Sequence, residues 1–453
     1  MQPSAGSSGR RRLTALAATA VAACAVAACV GAPSGTAAAR ATTGAGSSAA
    51  RATTGAGSTA ASSAATASTK GTSTTLGSAA TESAATASTT DAAPPAEPAA
   101  PAVDLAALTL ARMSLSQRVG QLLMVGSRAT SADPRTLNAV TRYHVGNVML
   151  TGRSTAGVRA TARVSAALQR RATGKATAGV RLHVATDQEG GSVQVLRGSG
   201  FVRMPTALTQ GRWTTGTLRT RATQWGRQLH AAGVTVNLAP VADTVPSAAF
   251  APKNAPIGHF KREFGYTVGR VGSHAVAFSQ GMHAARVQVA VKHFPGLGRV
   301  TANTDTTAGV TDRTTTRKSS YLQPFAASIK AGAPFVMMST AYYSRIDARQ
   351  PAAFSRTIVT GILRGDLRFR GVVISDDLGS ARQVRRWSPG TRATRFVAAG
   401  GDMVLTVDPA VARSMFVALR DRARSDAGFR RQVDAAALRV LRSKQAQGLL
   451  PPR

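Results

Sequence analysis

The stretch Val287-Gln288-Val289-Ala290-Val291-Lys292-His293-Phe294-Pro295-Gly296-Leu297-Gly298 decides the fold. A five-residue stretch, apolar but for Gln288 and rich in β-branched Val, ends in two polar side chains, and the chain then breaks at Pro-Gly. A strand buried on both faces reads as such a continuous apolar run. Lys292 and His293 then stand at its C-terminal edge. Two other runs end in the same way. Arg181-Leu182-His183-Val184-Ala185 leads into Asp187-Gln188-Glu189-Gly190-Gly191, and Gly371-Val372-Val373-Ile374 leads into Ser375-Asp376-Asp377. Polar clusters on three strand ends point to one shared site.

Working outward, eight apolar runs recur: residues 121–125, 145–150, 182–185, 234–238, 287–291, 335–338, 372–374 and 403–405. Segments of helical spacing lie between them, among them 217–232, 268–285, 319–331 and 391–399. Gly233, Gly332 and Gly400 close several of these, as suits a helix C-terminus. Apolar strands alternating with helices predict a parallel sheet. Eight units in this length predict an α/β fold of the (β/α)8 TIM-barrel type, whose active site lies at the strand C-terminal ends. An open doubly wound sheet is the second choice, but no Gly-x-Gly-x-x-Gly turn follows the first strand.

The barrel occupies only part of the 453 residues. Arg10-Arg11-Arg12 and the apolar stretch Leu13–Ala23 read as an export signal, too short to span a bilayer. Two Val-Ala-Ala-Cys runs follow and hold the only cysteines, Cys24 and Cys29. A small-residue stretch ending in Cys resembles the lipobox of bacterial lipoproteins. Residues 1–29 are therefore expected to be a lipoprotein signal ending at a lipidated Cys29, with plain secretion as the alternative. Residues 30–102 are mostly Ala, Ser, Thr and Gly, ending in a Pro-rich stretch. Such a segment buries too little apolar surface to offset its ordering entropy and reads as a disordered linker. Residues 103–453 are expected to form the single barrel domain. With no Cys there, it holds neither an internal disulfide nor a thiolate metal site.

The formal net charge is +36. The excess is spread along the chain, with no dense basic run interleaved with aromatics. Together with export, that argues against a nucleic-acid partner. Attraction to an anionic cell envelope is the functional reading, and a solvated arginine-rich surface the plain one.

Each polar group has a use at the mouth of a barrel. Two adjacent strand-end residues point to opposite faces, so one of Asp376 and Asp377 can face the mouth while the other makes structural contacts. Lys292 and His293 present donors to sugar hydroxyls, and Lys292 can hold a neighbouring carboxylate ionised. A structural ion pair of Lys292 with Asp187 or Asp243 is the competing reading. Asp187 opens a glycine-rich loop whose backbone can approach a ligand closely. Asp243, after Asn237-Leu238-Ala239-Pro240-Val241, reads as a stabiliser of the mouth. Asp305 follows the Pro-Gly loop. Alone it is a solvated turn residue, and in this company it can swing in over the mouth.

Asp187-Gln188-Glu189-Gly190-Gly191, Leu238-Ala239-Pro240-Val241-Ala242-Asp243, Lys292-His293-Phe294-Pro295-Gly296 and Ser375-Asp376-Asp377-Leu378 together resemble the motif set of glycoside hydrolase family 3. The match runs from about Ser114 to Thr406, and the single-domain length resembles the β-N-acetylhexosaminidase branch. The resemblance implies a barrel, a retaining mechanism, Asp376 as nucleophile, and sugar binding by Asp187, Arg262, Lys292 and His293. Arg262 aligns only with a small insertion.

The departures matter more than the matches. The branch reads Lys-His-Phe-Pro-Gly-His-Gly and then Asp-Ser-His, whose His is the acid/base. Here Leu297 replaces the second histidine of the first motif, and Asn303-Thr304-Asp305 replaces Asp-Ser-His. An Arg expected eight residues after Asp187 is Val195, with Arg197 two positions further on. Asp305 is therefore the expected acid/base, steadied by Asn303. The expected activity is exo-hydrolysis of β-linked N-acetylglucosamine from cell-wall fragments, with no metal or organic cofactor. A β-glucosidase-type activity and a non-catalytic sugar-binding envelope lipoprotein remain as alternatives.

Overall fold

The structure, a computed structural model, describes residues 104 to 452. The signal, Cys29 and the linker lie outside the described residues. Each of the eight apolar runs carries a strand: β1 Leu123–Arg128, β2 Asn147–Thr151, β3 His183–Thr186, β4 Val236–Asn237, β5 Gln288–Phe294, β6 Phe335–Met338, β7 Val372–Ser375 and β8 Val404–Thr406. All neighbours pair in parallel in the order β7-β6-β5-β4-β3-β2-β1-β8. The ring closes where Ile374 bridges Met403 and the Ser375 N–H donates to Met403 O at 2.9 Å. The expected barrel is therefore present.

Alternation along the strands explains why each run is apolar throughout. Met124, Met149, Ala185, Val236, Ala290, Phe335, Met337, Ile374 and Leu405 fill the barrel interior. Their neighbours Val125, Val148, Val184, Val289, Val336, Val373 and Val404 face the surrounding helices and join the larger core. Every second residue thus points to each core, and neither face tolerates charge.

A helix follows each strand: α1 Pro134–Arg142, α2 Gly157–Gln169, α3 Thr215–Ala231, α4 Val268–Ala284, α5 Gln323–Lys330, α6 Thr357–Asp366, α7 Pro389–Ala398 and α8 Ala412–Ser425. Their starts are written in the sequence. The side chains of Asp133, Thr214, Thr267 and Ser388 accept N–H bonds from the first turns of α1, α3, α4 and α7. Gly233, Gly332 and Gly400 stand just beyond helix ends with φ of 77°, 85° and 107°, where an L side chain is strained. Helix α6 runs as a π-helix.

A last helix, α9 (Ala427–Gln445), packs across the N-terminal ends of the strands. Its Val440 joins the barrel interior. Ser443 Oγ lies 2.9 Å from His183 Nε2, and Lys444 Nζ donates to Gln121 Oε1 and Gly146 O, both at 2.7 Å. The polar clusters lie at the opposite end.

Candidate active site

Four charges meet at the C-terminal mouth. Lys292, at the end of β5, donates to Asp187 Oδ1 and lies against Glu189 Oε1, each at 2.6 Å. Glu189 also receives a forked pair from Arg262: Nε to Oε2 at 2.8 Å and Nη2 to Oε1 at 2.7 Å. Arg262 spends its remaining arm on Pro256 O at 2.8 Å. Two cations thus face two carboxylates, and the Lys292 and Glu189 side chains are only 3% and 4% exposed. Asp187 is the open member at 24%. Burial alone would push the Glu189 carboxyl up, but the charges and hydrogen bonds of Arg262 and Lys292 outweigh it and hold it at about 2. Burial would likewise lower Lys292, and Asp187 and Glu189 raise it above its ordinary value instead.

The glycine pair beside Glu189 makes this approach possible. Gly190 has φ of 109°, and a Cβ there would lie 2.2 Å from Pro205 O. Only glycine lets the hairpin Gln188–Gly190/Val193–Gln194 fold down on that backbone. Gln210 Nε2 fastens it by donating to Glu189 O at 2.8 Å.

His293 is held by Asp243. The Asp243 carboxylate is fully buried and accepts from the His293 N–H at 3.0 Å and the Leu297 N–H at 2.8 Å, while Oδ2 lies 2.7 Å from His293 Nδ1. The backbone brings them together: Ala242 N–H donates to Lys292 O at 2.7 Å. That contact leaves Nε2 as the free edge of His293.

The adjacent carboxylates on β7 have different surroundings. Asp377 accepts N–H bonds from Gly379 at 2.9 Å, Val407 at 3.1 Å and Ser380 at 3.0 Å. Burial first, and the Asp376 charge after it, push it up to about 6 against those bonds. Asp376 accepts one hydrogen bond, from the Asp377 N–H at 2.8 Å. Both are half-buried.

Asp305 is half-buried on the loop after β5. Burial and then the charges of Asp376, Asp377 and Asp187 push its carboxyl up to about 7, with Arg262 opposing. Asn303 does steady this turn, through the backbone: its Oδ1 accepts from the Asp305 N–H at 2.9 Å. The Asp305 carboxyl itself makes no such bond to Asn303.

The sequence-derived set Asp187, Arg262, Lys292, His293, Asp305 and Asp376 thus gathers at one mouth, with Asp243 behind His293 and Asn303 under Asp305. Arg197 does not enter the four-charge cluster. Its guanidinium folds back on Gln194 O and Gly191 O, both at 3.2 Å. Glu189 is the residue the sequence reading passed over, although it stands inside the quoted Asp-Gln-Glu-Gly-Gly motif and binds both cations. A carboxylate two residues from Asp187 in a glycine-rich turn was the available signal.

Residues 114–443 match the model of the Glycosyl hydrolase family 3 N terminal domain. A solved Beta-N-acetylhexosaminidase from Beutenbergia cavernae DSM 12333 is 56% identical, with TM-score 0.74, over 74% of this chain and 99% of its own. The Beta-hexosaminidase of Xylella fastidiosa (strain M23) is 35% identical over 273 residues, which is 57% of this chain and 75% of that protein. A solved glycoside hydrolase family 3 beta-N-acetylglucosaminidase from Paenibacillus sp. str. FPU-7 is 28% identical, with TM-score 0.67, over 74% of this chain and 63% of its own.

Proposed function

This chain belongs to glycosyl hydrolase family 3, and within it we propose a retaining exo-glycosidase that removes β-linked N-acetylglucosamine from cell-wall-derived glycans. The observation that carries the reading is a pairing of carboxyls: Asp376 with a single hydrogen bond, and Asp305 pushed up to about 7 by burial and by Asp376. Retaining hydrolysis needs that combination, one group to attack and one to hold a proton. The similar β-hexosaminidases support N-acetylglucosamine as the sugar.

The Asp376 carboxylate attacks the anomeric carbon. The glycosidic C–O bond breaks, and its oxygen takes the Asp305 proton. Asp376 is now an uncharged ester, so the largest of the charges that raised Asp305 is gone and the new Asp305 carboxylate is less opposed. It then takes a proton from water as that oxygen attacks the anomeric carbon. Asp376 leaves as carboxylate and Asp305 is protonated again. Asp187, Lys292 and Arg262 face the sugar hydroxyls, and Asp243, by accepting from His293 Nδ1, turns the Nε2 edge of His293 toward them. An anionic Asp305 repels phosphate in the second step, so water is the acceptor.

The first 29 residues support export and a lipid anchor at Cys29, and the following residues a tether to the envelope.

The test is Asp305→Ala. Turnover of aryl β-N-acetylglucosaminides with poor leaving groups should fall by about 10²–10⁴-fold, activated ones far less, and azide should restore the second step. Aryl β-glucosides serve as the comparison for the sugar. Unchanged turnover of poor leaving groups would remove Asp305 from the role.

A further inference from the structure

The loop that carries Asp305 is fastened to the loop that follows Asp376. Beyond Asp376-Asp377 the chain turns through Arg382–Val384, and there it meets the Asp305 loop four times. Arg382 N–H donates to Asp305 O, and Gln383 N–H to Thr304 O, each at 3.0 Å. The Gln383 side chain closes a two-way pair with Val310: its Oε1 accepts from the Val310 N–H and its Nε2 donates to Val310 O, both at 3.0 Å. Gln383 is 3% exposed, so these bonds have no water competing for them. The amide orientation is set by its partner, because a backbone N–H only donates and a backbone carbonyl only accepts.

From the structure we infer that Gln383 is a positioning residue: it ties the Asp305 loop to the strand end that carries Asp376, and so fixes the acid/base over the nucleophile. This rests on the role proposed for Asp305. Val310 is a suitable anchor. Its carbonyl also accepts from the Tyr342 N–H at 2.9 Å, and the next residues, Thr311–Asp312, pair with Tyr342–Tyr343. The far end of the loop is also held, by Asn254 Nδ2 donating to Leu297 O at 2.8 Å and Val300 O at 2.6 Å. Between these anchors, Gln383 is the side chain that reaches across from the nucleophile's own loop.

The latch has a signature that a general loss of packing does not share. Asp305 is faced by Asp376 and Asp377 from the end of β7, by Asp187 from the end of β3, and by Arg262 from the β4–α4 connection. Its high proton affinity comes from burial first and those three carboxylates second. A loosened loop lets water in and moves Asp305 away from them, and both changes lower its proton affinity. The kcat/KM of the enzyme needs Asp305 protonated, so its alkaline limb moves to lower pH.

The experiment compares Gln383→Met, Gln383→Glu and Asp305→Ala with the parent in full-length protein, on a poor aryl leaving group and on a dinitrophenyl one. For Gln383→Met, kcat/KM on the poor leaving group is expected to fall on the order of 10- to 100-fold, as for a catalytic group displaced by about an ångström. The dinitrophenyl substrate loses much less, and the alkaline limb shifts to lower pH. Gln383→Glu carries the second test. Protonated, it offers one donor and one acceptor and behaves like the parent at acid pH. Ionised, it faces Val310 O with a charge and behaves like Gln383→Met. Equal losses on both substrates with an unmoved limb would overturn the latch, as would no loss at all. If Asp305→Ala slows the poor leaving group and Gln383→Met does not, the latch alone fails. If Asp305→Ala changes nothing, the acid/base assignment fails first.

Discussion

Replacing Glu189 by Gln removes one charge from the buried group of four and leaves its shape. Lys292 and Arg262 then face Asp187 alone, and a net positive charge remains where the Lys292 side chain is 3% exposed. The magnitude follows from the carboxyl's own titration. Its folded-state value of about 2, against an ordinary 4.5, corresponds to about 3 kcal/mol at neutral pH. The cost of leaving a buried charge unpaired, about 3–5 kcal/mol, agrees. The sign is that of a depressed carboxyl: the stabilisation is complete above pH 4.5 and is lost as pH falls toward 2. Urea unfolding of the parent and Glu189→Gln at a series of pH values measures it. A difference of about 3 kcal/mol at pH 7, shrinking on acidification below 4.5, is expected. A difference below about 1 kcal/mol, the worth of an exposed pair, would refute the buried-network account. So would a difference that does not change with pH.

Two further outcomes are expected. Glu263 is fully buried, both its oxygens lack a hydrogen bond of good geometry, and burial pushes it up to about 7 against the weaker pull of Arg262, Lys261 and Tyr266. A raised carboxyl stabilises below its ordinary value and loses that contribution as pH rises through 7, so Glu263→Gln should gain on the parent by about 3 kcal/mol between pH 4.5 and 8 in thermal or urea unfolding; a pH-independent difference would contradict this. The N-terminal peptide of protein purified from membranes should carry acyl chains on Cys29 by mass spectrometry, and an unmodified N-terminus near residue 30 would count against the anchor.

The strands were legible because a barrel buries both of their faces. Val287–Val291 carries a single uncharged polar residue, Gln288, in an otherwise apolar run too short for a helix, and the break at Pro295-Gly296 marked its end. Charged groups at strand ends were legible for the same reason, since a Lys or Asp there interrupts an otherwise apolar run. Arg262 was harder to read. It lies in the irregular chain between β4 and α4, among two short 3-10 turns, where no periodicity tells a buried guanidinium from a surface one. Its forked bond to Glu189 exists only after the hairpin of β3 folds down. Gln383 left no trace in the sequence. A polar residue among Ala381, Arg382, Arg385 and Arg386 reads as solvated surface, and its burial depends on a loop more than seventy residues away. Lys444 is a similar case: a lysine near the end of an arginine-rich helix suggests exposure, yet it lies fully buried beneath the barrel. Local pattern reports an element's own faces, and these three side chains are placed by other elements.

The central claim is that Asp376 forms a covalent bond to the sugar. Incubation with a slow fluorinated N-acetylglucosaminyl donor, followed by proteolysis and mass spectrometry, tests it most directly. The account predicts one glycosylated peptide, modified at Asp376, and no adduct in Asp376→Asn. A label on Asp187, Asp305 or Asp377 would contradict it, as would turnover of the donor by Asp376→Asn at the parent's rate.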